Sequence, residues 1–210
     1  MWAGTVIALR GVGISSAAGA RSPAQVFIAA RQLYGLWALA LLLTAMVIGP
    51  LIYTLPWLPL RGHLAIARRT LGLAAFVFAL FHSACYLGPT LLRDWRALYR
   101  SGSLWIAGLF VGVLSMTIMS VLAYTSADRA VRRLGGHRWK ALHRWVYPLL
   151  AIVFVHAILL GADFGVNKGP DVAGEPDAGC LIGMLVFAGA WLALFVLRKR
   201  RLKWHSIKRR

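Results

Sequence analysis

The sequence predicts an all-α integral membrane protein, a bundle of five transmembrane helices, or six if the N-terminal segment also crosses. Of its 210 residues, 60% are hydrophobic and only 14% are charged, whereas about a quarter of the residues are charged in a soluble domain. The apolar residues also form stretches near or above the length of about 20 residues that crosses a bilayer. These stretches are residues 33–55, 70–88, 103–124, 145–162 and 180–197.

The segment before the first stretch, residues 1–32, contains Arg10, Arg21 and Arg31 and no long apolar run. It is interpreted as an interfacial helix or a degenerate span. An atypical targeting segment is the third interpretation, although the basic start of a secretory signal is missing. We expect the transmembrane domain to cover 33–197, followed by a basic cytoplasmic tail.

The net charge of +18 is placed in a way that predicts topology. Of the 24 lysines and arginines, 17 lie in three segments, 61–69, 129–144 and 198–210. Basic loops stay in the cytoplasm, so these segments and the C-terminus should face inward. The tail also suits anionic lipid head groups, and we expect no nucleic-acid binding.

Three histidines lie within or at the ends of apolar stretches, where an imidazole is costly and marks a path for ions, protons or electrons. His82 follows Arg69 by 13 residues. His156 follows Arg144 by 12 residues. Both helices run from inside to outside, so a rise of about 1.5 Å per residue places the two imidazoles at nearly one level. The third histidine, His143, lies at the cytoplasmic boundary.

Two imidazoles at one level on parallel helices can hold a haem between them. Neutral imidazole binds iron well, and two axial histidines leave no open position, which favours electron transfer. The alternative is a histidine that only bonds a carbonyl or lies at the interface. That alternative is weaker for His82 and His156, which lie among apolar residues, than for His143 beside Lys140 and Arg144.

A second haem would have to use His143 at the inner level. Thirteen residues separate His143 from His156, which leaves them about 140° apart around an ideal helix. Pro148 lies between them and can bend or rewind the helix. The inner level of the second stretch holds Arg68 and Arg69, which could pair with haem propionates or with the phosphate of an anionic cofactor.

Aromatic side chains crowd the start of the fourth stretch, at Trp139, Trp145 and Tyr147. An interfacial belt explains most of them, and a stacking surface for a flavin or quinone is the alternative. Arg144 and Trp145 are therefore candidate cofactor-binding residues. The segment has no G-x-G-x-x-G pattern, so any NAD(P)H chemistry belongs to another protein.

Two stretches resemble the ferric-reductase-like transmembrane family, and the agreement covers roughly 35–200. The first is RRTLGLAAFVFALFH, residues 68–82, and the second is LAYTSADRAVRRLGGHRWKALHRWVYPLLAIVFVHAILL, residues 122–160. The shared features are the Arg-Arg-x-Leu-Gly-Leu helix start, the Thr-Ser pair, the Trp-x-x-Leu-His-Arg-x-Val-Tyr motif and a histidine 13 residues on. Within the family, the chain is most similar to the haem-binding membrane subunits of bacterial periplasmic methionine sulfoxide reductase systems.

The resemblance implies ligation of haem b by His82, His143 and His156, in an electron-transfer subunit without catalytic residues of its own. It also implies a multi-pass protein of the bacterial inner membrane. A quinol or a cytoplasmic flavin reductase would donate electrons, and a periplasmic molybdopterin enzyme that reduces oxidised methionine would accept them. Some family members hold FMN. The degenerate first span and the long acidic loop at residues 161–179, between the fourth and fifth apolar stretches, depart from the family pattern.

Two other functions stay open. One is a haem subunit of another membrane redox complex, such as a metal reductase or a respiratory or photosynthetic assembly. The other is a non-redox membrane scaffold that has lost its cofactor.

Overall fold

The computed structural model describes residues 23–55, 57, 61–88, 96 and 102–160, with isolated positions between 185 and 196. Within the continuous ranges the chain forms helices only. They are α1 (Pro23–Thr54), α2 (Arg61–Tyr86), α3 (Gly102–Tyr124), α4 (Asp128–His143) and α5 (Val146–Leu160).

Helices α1, α2 and α3 are each long and apolar enough to cross a membrane. Helices α4 and α5 meet the same condition as a pair bent by 43°. The described residues therefore supply three spans, or four if the bent pair is one span, and the predicted all-α membrane bundle is confirmed. Residues 1–22, the tail 198–210 and, apart from isolated positions, the predicted span 180–197 lie outside the described residues.

Helix α1 begins at Pro23, earlier than the apolar run that the sequence pattern placed at 33–55. Proline suits a first helical position because the N–H group it lacks has no partner inside the helix there. Arg31, which separated the first segment from the first span in the sequence pattern, is thus part of the helix.

The helices pack as two pairs. Helix α1 packs most extensively against α2, and α3 against α5, while α2 also contacts α3. We call α1 with α2 the first helix pair and α3 with α5 the second helix pair. A common core joins them, with Leu42, Met46, Ala75, Met119 and Leu149 among its buried members.

The start of α2 and the start of α4 lie at the same end of the bundle. A salt bridge of 2.6 Å between Arg69 and Asp128 joins them. Helix α4 carries five lysines and arginines and no buried residue, so it lies at the surface of the bundle. Two of the three basic segments thus share one end, as the charge pattern predicted. We call this the inner end and the opposite end the outer end.

The chain bends between α4 and α5 at Arg144 and Trp145. Pro148 explains the position of the bend, because the ring of a proline crowds the carbonyl four residues earlier in a continuous helix. That carbonyl belongs to Arg144. The sequence analysis noted that Pro148 can bend or rewind the helix, and the structure places a bend three to four residues before it.

Candidate functional site

His82 of α2 and His156 of α5 come together between the two helix pairs. Their ring centroids are 6.1 Å apart, and the ring planes are nearly perpendicular, at 85°. The sequence predicted that the two imidazoles share a level, and the structure brings their rings together between the helix pairs, toward the outer end of the bundle. We call this the outer site.

A main-chain carbonyl of a neighbouring helix holds each imidazole. His82 Nδ1 lies 2.8 Å from the carbonyl oxygen of Arg31 in α1. His156 Nδ1 lies 2.9 Å from the carbonyl oxygen of Gly108 in α3. A carbonyl oxygen can only accept, so Nδ1 carries the proton of each neutral ring and donates it. The lone pair is then on Nε2, and a histidine whose other ring nitrogen is fixed in this way is typical of a metal ligand.

An apolar cavity of about 590 Å³ lies beside both imidazoles, with walls from both helix pairs. Its volume falls within the range of about 300–1,000 Å³ that is usual for ligand pockets. The hydroxyls of Ser83 and Ser115, which line it, donate to carbonyls of their own helices at 2.9 Å. The walls therefore offer mainly apolar contact, which suits a large flat cofactor.

The outer end of the cavity is lined by a charged and an aromatic group that sequence reasoning missed. The guanidinium carbon of Arg31 lies 5.7 Å from the centre of the Tyr86 ring, within the range of a cation–π contact. The indole N–H of Trp105 donates to the Tyr86 hydroxyl at 3.3 Å. All three side chains line the cavity, so Arg31 supplies a positive charge where an acidic group of a ligand could bind.

These residues fit a haem held by two histidines. Metal–nitrogen bonds of roughly 2 Å, plus about 1 Å from each nitrogen to its ring centre, place two such rings roughly 6 Å apart. The observed separation is 6.1 Å. In the part of the chain that the structure describes, no three or more His, Cys, Asp or Glu side chains gather as a metal site. The separation of the two rings and their Nδ1 hydrogen bonds make the histidine pair the candidate metal site.

His143 lies at the inner end, beside Thr125. Thr125 follows Gly108 by 17 residues, which is about 25 Å along a helix at 1.5 Å per residue. His143 Nε2 is 3.3 Å from the hydroxyl of Thr125, and the His143 ring stacks on Trp139 with centroids 4.2 Å apart. The Thr125 hydroxyl donates to the carbonyl of Val121 at 2.7 Å. Because a hydroxyl can donate or accept, this contact is compatible with a proton on either nitrogen of the His143 ring. His143 therefore differs from His82 and His156, whose carbonyl partners allow one tautomer only.

The other predicted cofactor-binding residues lie at the inner end as well and do not line the cavity. Arg69 is engaged in the salt bridge described above. Arg68 packs against α1 at Gly49, where an added Cβ would lie 2.9 Å from a guanidinium nitrogen. Arg144 and Trp145 form the bend, and the Trp145 side chain is 55% exposed.

Two glycines beside the histidines were also missed, Gly35 in α1 and Gly112 in α3. For Gly112 the sequence held a usable signal, because Gly108 and Gly112 have the small-x-x-x-small spacing that lets membrane helices approach closely. For Gly35 and Arg31 the sequence offered no such signal.

The chain matches the family described as ferric reductase like transmembrane component over residues 34–155. It is 35% identical over 127 residues to Protein-methionine-sulfoxide reductase heme-binding subunit MsrQ of Rhodospirillum rubrum, covering 60% of this chain and 58% of that protein. The MsrQ of Azospira oryzae is also 35% identical over 127 residues, which are 60% of this chain and 52% of that one. The magnetosome protein MamZ of Paramagnetospirillum magneticum is 34% identical over 100 residues, which are 46% of this chain and 15% of MamZ.

The match therefore spans little more than half the length of these MsrQ relatives. No solved structure matches the chain. The family match covers most of the described helices and includes His82 and His143, and it ends one residue before His156. The resemblance that the sequence motifs indicated is thus confirmed: the chain belongs to the family of ferric reductase like transmembrane components.

Proposed function

We propose that this chain is a b-type cytochrome subunit of a membrane redox system, in which His82 and His156 bind one haem b. The observation that supports it is the pair of imidazoles, 6.1 Å apart beside one apolar cavity. Each has its Nδ1–H bound to a main-chain carbonyl. The MsrQ relatives, whose printed name includes heme binding, support the same cofactor.

The side chains of the site have separate tasks in this proposal. The carbonyl bonds orient the two rings and make Nε2 a stronger donor to iron. Histidine ligands from two helices would leave no open coordination position, so the site would favour electron transfer over oxygen binding. When bound, haem supplies a one-electron couple whose potential depends on the ligands, their hydrogen bonds and burial. Arg31 would bind a propionate at the outer end.

The inner end would receive the electrons. His143 stacked on Trp139 offers an aromatic surface there, and Arg68 and Arg144 add positive charge that suits a quinone oxygen or the phosphate of FMN. Trp145 provides a further exposed ring. A second haem at His143 would require its Nε2 to leave the Thr125 hydroxyl, so we propose contact with the donor as the first role of this residue.

The relatives also support a proposal for the electron donor, the electron acceptor and the membrane. By their printed name, MsrQ proteins are subunits of a protein-methionine-sulfoxide reductase. We therefore propose a periplasmic molybdopterin enzyme of this kind as the acceptor, and a quinol or a cytoplasmic flavin reductase as the donor. The protein would lie in the bacterial inner membrane with its C-terminus in the cytoplasm. The match to a magnetosome protein favours one other candidate, a haem subunit of a different membrane complex.

The haem content of the purified full chain tests the proposal. Wild type should show a reduced-minus-oxidised haem b spectrum, and His82→Ala should lose it because one axial ligand is gone. The matched control is His63→Ala, which removes an exposed histidine from the same helix and should keep the spectrum. A colourless wild-type protein would refute the cytochrome proposal and favour the scaffold. Full haem in His82→Ala would show that the ligands are assigned wrongly.

A further inference from the structure

Both imidazoles of the outer site lie directly on a glycine of the neighbouring helix. A Cβ added to Gly35 would lie 2.8 Å from Nδ1 of His82. A Cβ added to Gly112 would lie 2.7 Å from Cε1 of His156. Contacts under 3.0 Å essentially never occur for real Cβ atoms. Any side chain at either glycine would therefore displace the imidazole.

The two glycines have the same position relative to the carbonyl that holds the imidazole. Gly35 follows Arg31 by four residues, and Gly112 follows Gly108 by four. In an α-helix, residue i+4 stands one turn further along the same face, and its side chain leans back over the preceding turn. A side chain there would cover the carbonyl oxygen of residue i. Glycine leaves that oxygen, which has a second lone pair beyond its helical bond, open to the imidazole.

Close helix packing is the usual reason for glycine in a membrane helix, and it explains Gly108. A Cβ at Gly108 would meet the side chain of Leu160, at 2.5 Å from its Cγ. Gly35 and Gly112 differ, because the three nearest atoms to an added Cβ all belong to one histidine in each case. The surroundings of Gly35 and Gly112 therefore indicate that these glycines make room for an imidazole rather than for a neighbouring helix.

We propose that Gly35 and Gly112 are positioning residues that admit each imidazole to the carbonyl one turn earlier and so fix its tautomer and rotation. Each helix pair then builds the same half of the site. One helix supplies the imidazole, and the other supplies the glycine and the carbonyl. The effect on haem rests on the proposed function, whereas the hydrogen bonds are a property of the chain itself.

Alanine at each glycine tests the inference in the full-length haem protein. We expect Gly35→Ala and Gly112→Ala to bind haem about 10- to 100-fold more weakly, the usual effect of losing a contact that orients a metal ligand. The measurement is the rate of haem transfer to an excess of a haem-scavenging protein. The low-spin ferric EPR spectrum, which depends on the orientation of the imidazole planes, should shift as well. Because alanine is a better helix former than glycine, the backbone alone would not weaken the helix.

The matched control is Gly72→Ala in α2, where an added Cβ meets nothing within 4 Å. It should leave both the haem transfer rate and the EPR spectrum unchanged. The inference is overturned if all three variants behave alike, or if Gly35→Ala and Gly112→Ala match wild type in both measurements.

A second measurement gives a result whether or not the protein binds haem. Nitrogen-15 NMR of histidine-labelled wild type, held in the reduced state, should show protons on Nδ1 of His82 and His156. Gly35→Ala should change the signal of His82 alone, and Gly112→Ala that of His156 alone. Protons on Nε2 in wild type would overturn the inference even if the protein binds haem. A colourless protein with the expected Nδ1 signals would instead refute only the cytochrome proposal.

Discussion

His82 and His156, at the outer end of the bundle, donate Nδ1–H to main-chain carbonyls, whereas Nε2 of His143, at the inner end, lies 3.3 Å from the hydroxyl of Thr125. The outer rings line an apolar cavity between the two helix pairs. The inner ring stacks on Trp139, on a helix without a buried residue. One chain therefore holds the same side chain in two different environments.

The difference lies in the hydrogen-bond partner. A carbonyl accepts only, so it fixes one tautomer and leaves Nε2 as the metal-binding nitrogen. A hydroxyl can donate or accept, so rotation of Thr125 would allow His143 to exchange its proton position. This difference supports the proposed roles, a fixed metal ligand at the outer end and contact with an electron donor at the inner end. For these histidines, the hydrogen-bond partner of the imidazole, rather than its depth in the bundle alone, indicates which role we propose.

Filling the cavity should disrupt the outer end most strongly. Ala157 of α5 lines the cavity, and Ala157→Phe would place a ring in the space that we assign to haem. We expect the ratio of haem to protein to fall about tenfold or more, because overpacking costs about 1–3 kcal/mol. Pyridine haemochrome absorbance relative to protein concentration measures it.

The control for this variant is Ala151→Phe, on an exposed face of the same helix. It should keep the wild-type haem content. If both phenylalanine variants retain haem, the cavity between the helix pairs is not where haem binds.

Removing the inner histidine should affect electron entry rather than the outer haem. We expect His143→Ala to keep the outer haem and to be reduced about tenfold more slowly by a quinol, because the stacked surface at the inner end is lost. Stopped-flow absorbance measures the rate. Dithionite, which needs no binding surface, should reduce wild type and variant equally. Loss of half the haem would instead reveal a second haem at His143, and loss of all of it would place His143 in the outer ligand set.

The sequence predicted the helices, the shared level of His82 and His156, and the bend before Pro148, because apolar length, residue spacing and proline geometry are local properties. It could not predict that Arg31 and Gly108 supply the carbonyls. Every helical residue has a carbonyl, and which one receives an imidazole depends on which helices become neighbours. That choice is made by tertiary packing.

The start of α1 shows a second limit of sequence analysis. A hydropathy pattern places Arg31 outside the first apolar stretch, just before the stretch begins. In the folded chain its guanidinium lies over the ring of Tyr86, and a long basic side chain near a helix end can reach polar surroundings while its backbone stays in the span. The charge therefore fits inside a longer helix than the pattern allows.

The smallest expected effect is at the salt bridge of the inner end. The hydrogen bond and charge of Arg69 lower the pKa of the Asp128 carboxyl below its usual range. Because the folded-state pKa is the lower one, the pair stabilises the protein above the unfolded pKa of about 4 and loses this effect as pH falls through the folded pKa. Asp128→Asn should thus lower the melting temperature slightly at pH 7.

The effect should be small because both side chains are exposed, and salt should weaken it further. Thermal unfolding of wild type and Asp128→Asn at a series of pH values measures it, and the difference should shrink as the pH falls through the folded-state pKa of the Asp128 carboxyl. The haem spectrum should stay that of wild type, since the outer site lies at the other end of the bundle. A difference that persists unchanged at acidic pH would show that Asp128 acts through something other than its charge. A changed haem spectrum would mean that the two ends are coupled, because only a shift of α2 or α4 could carry the loss of this pair to the outer histidines.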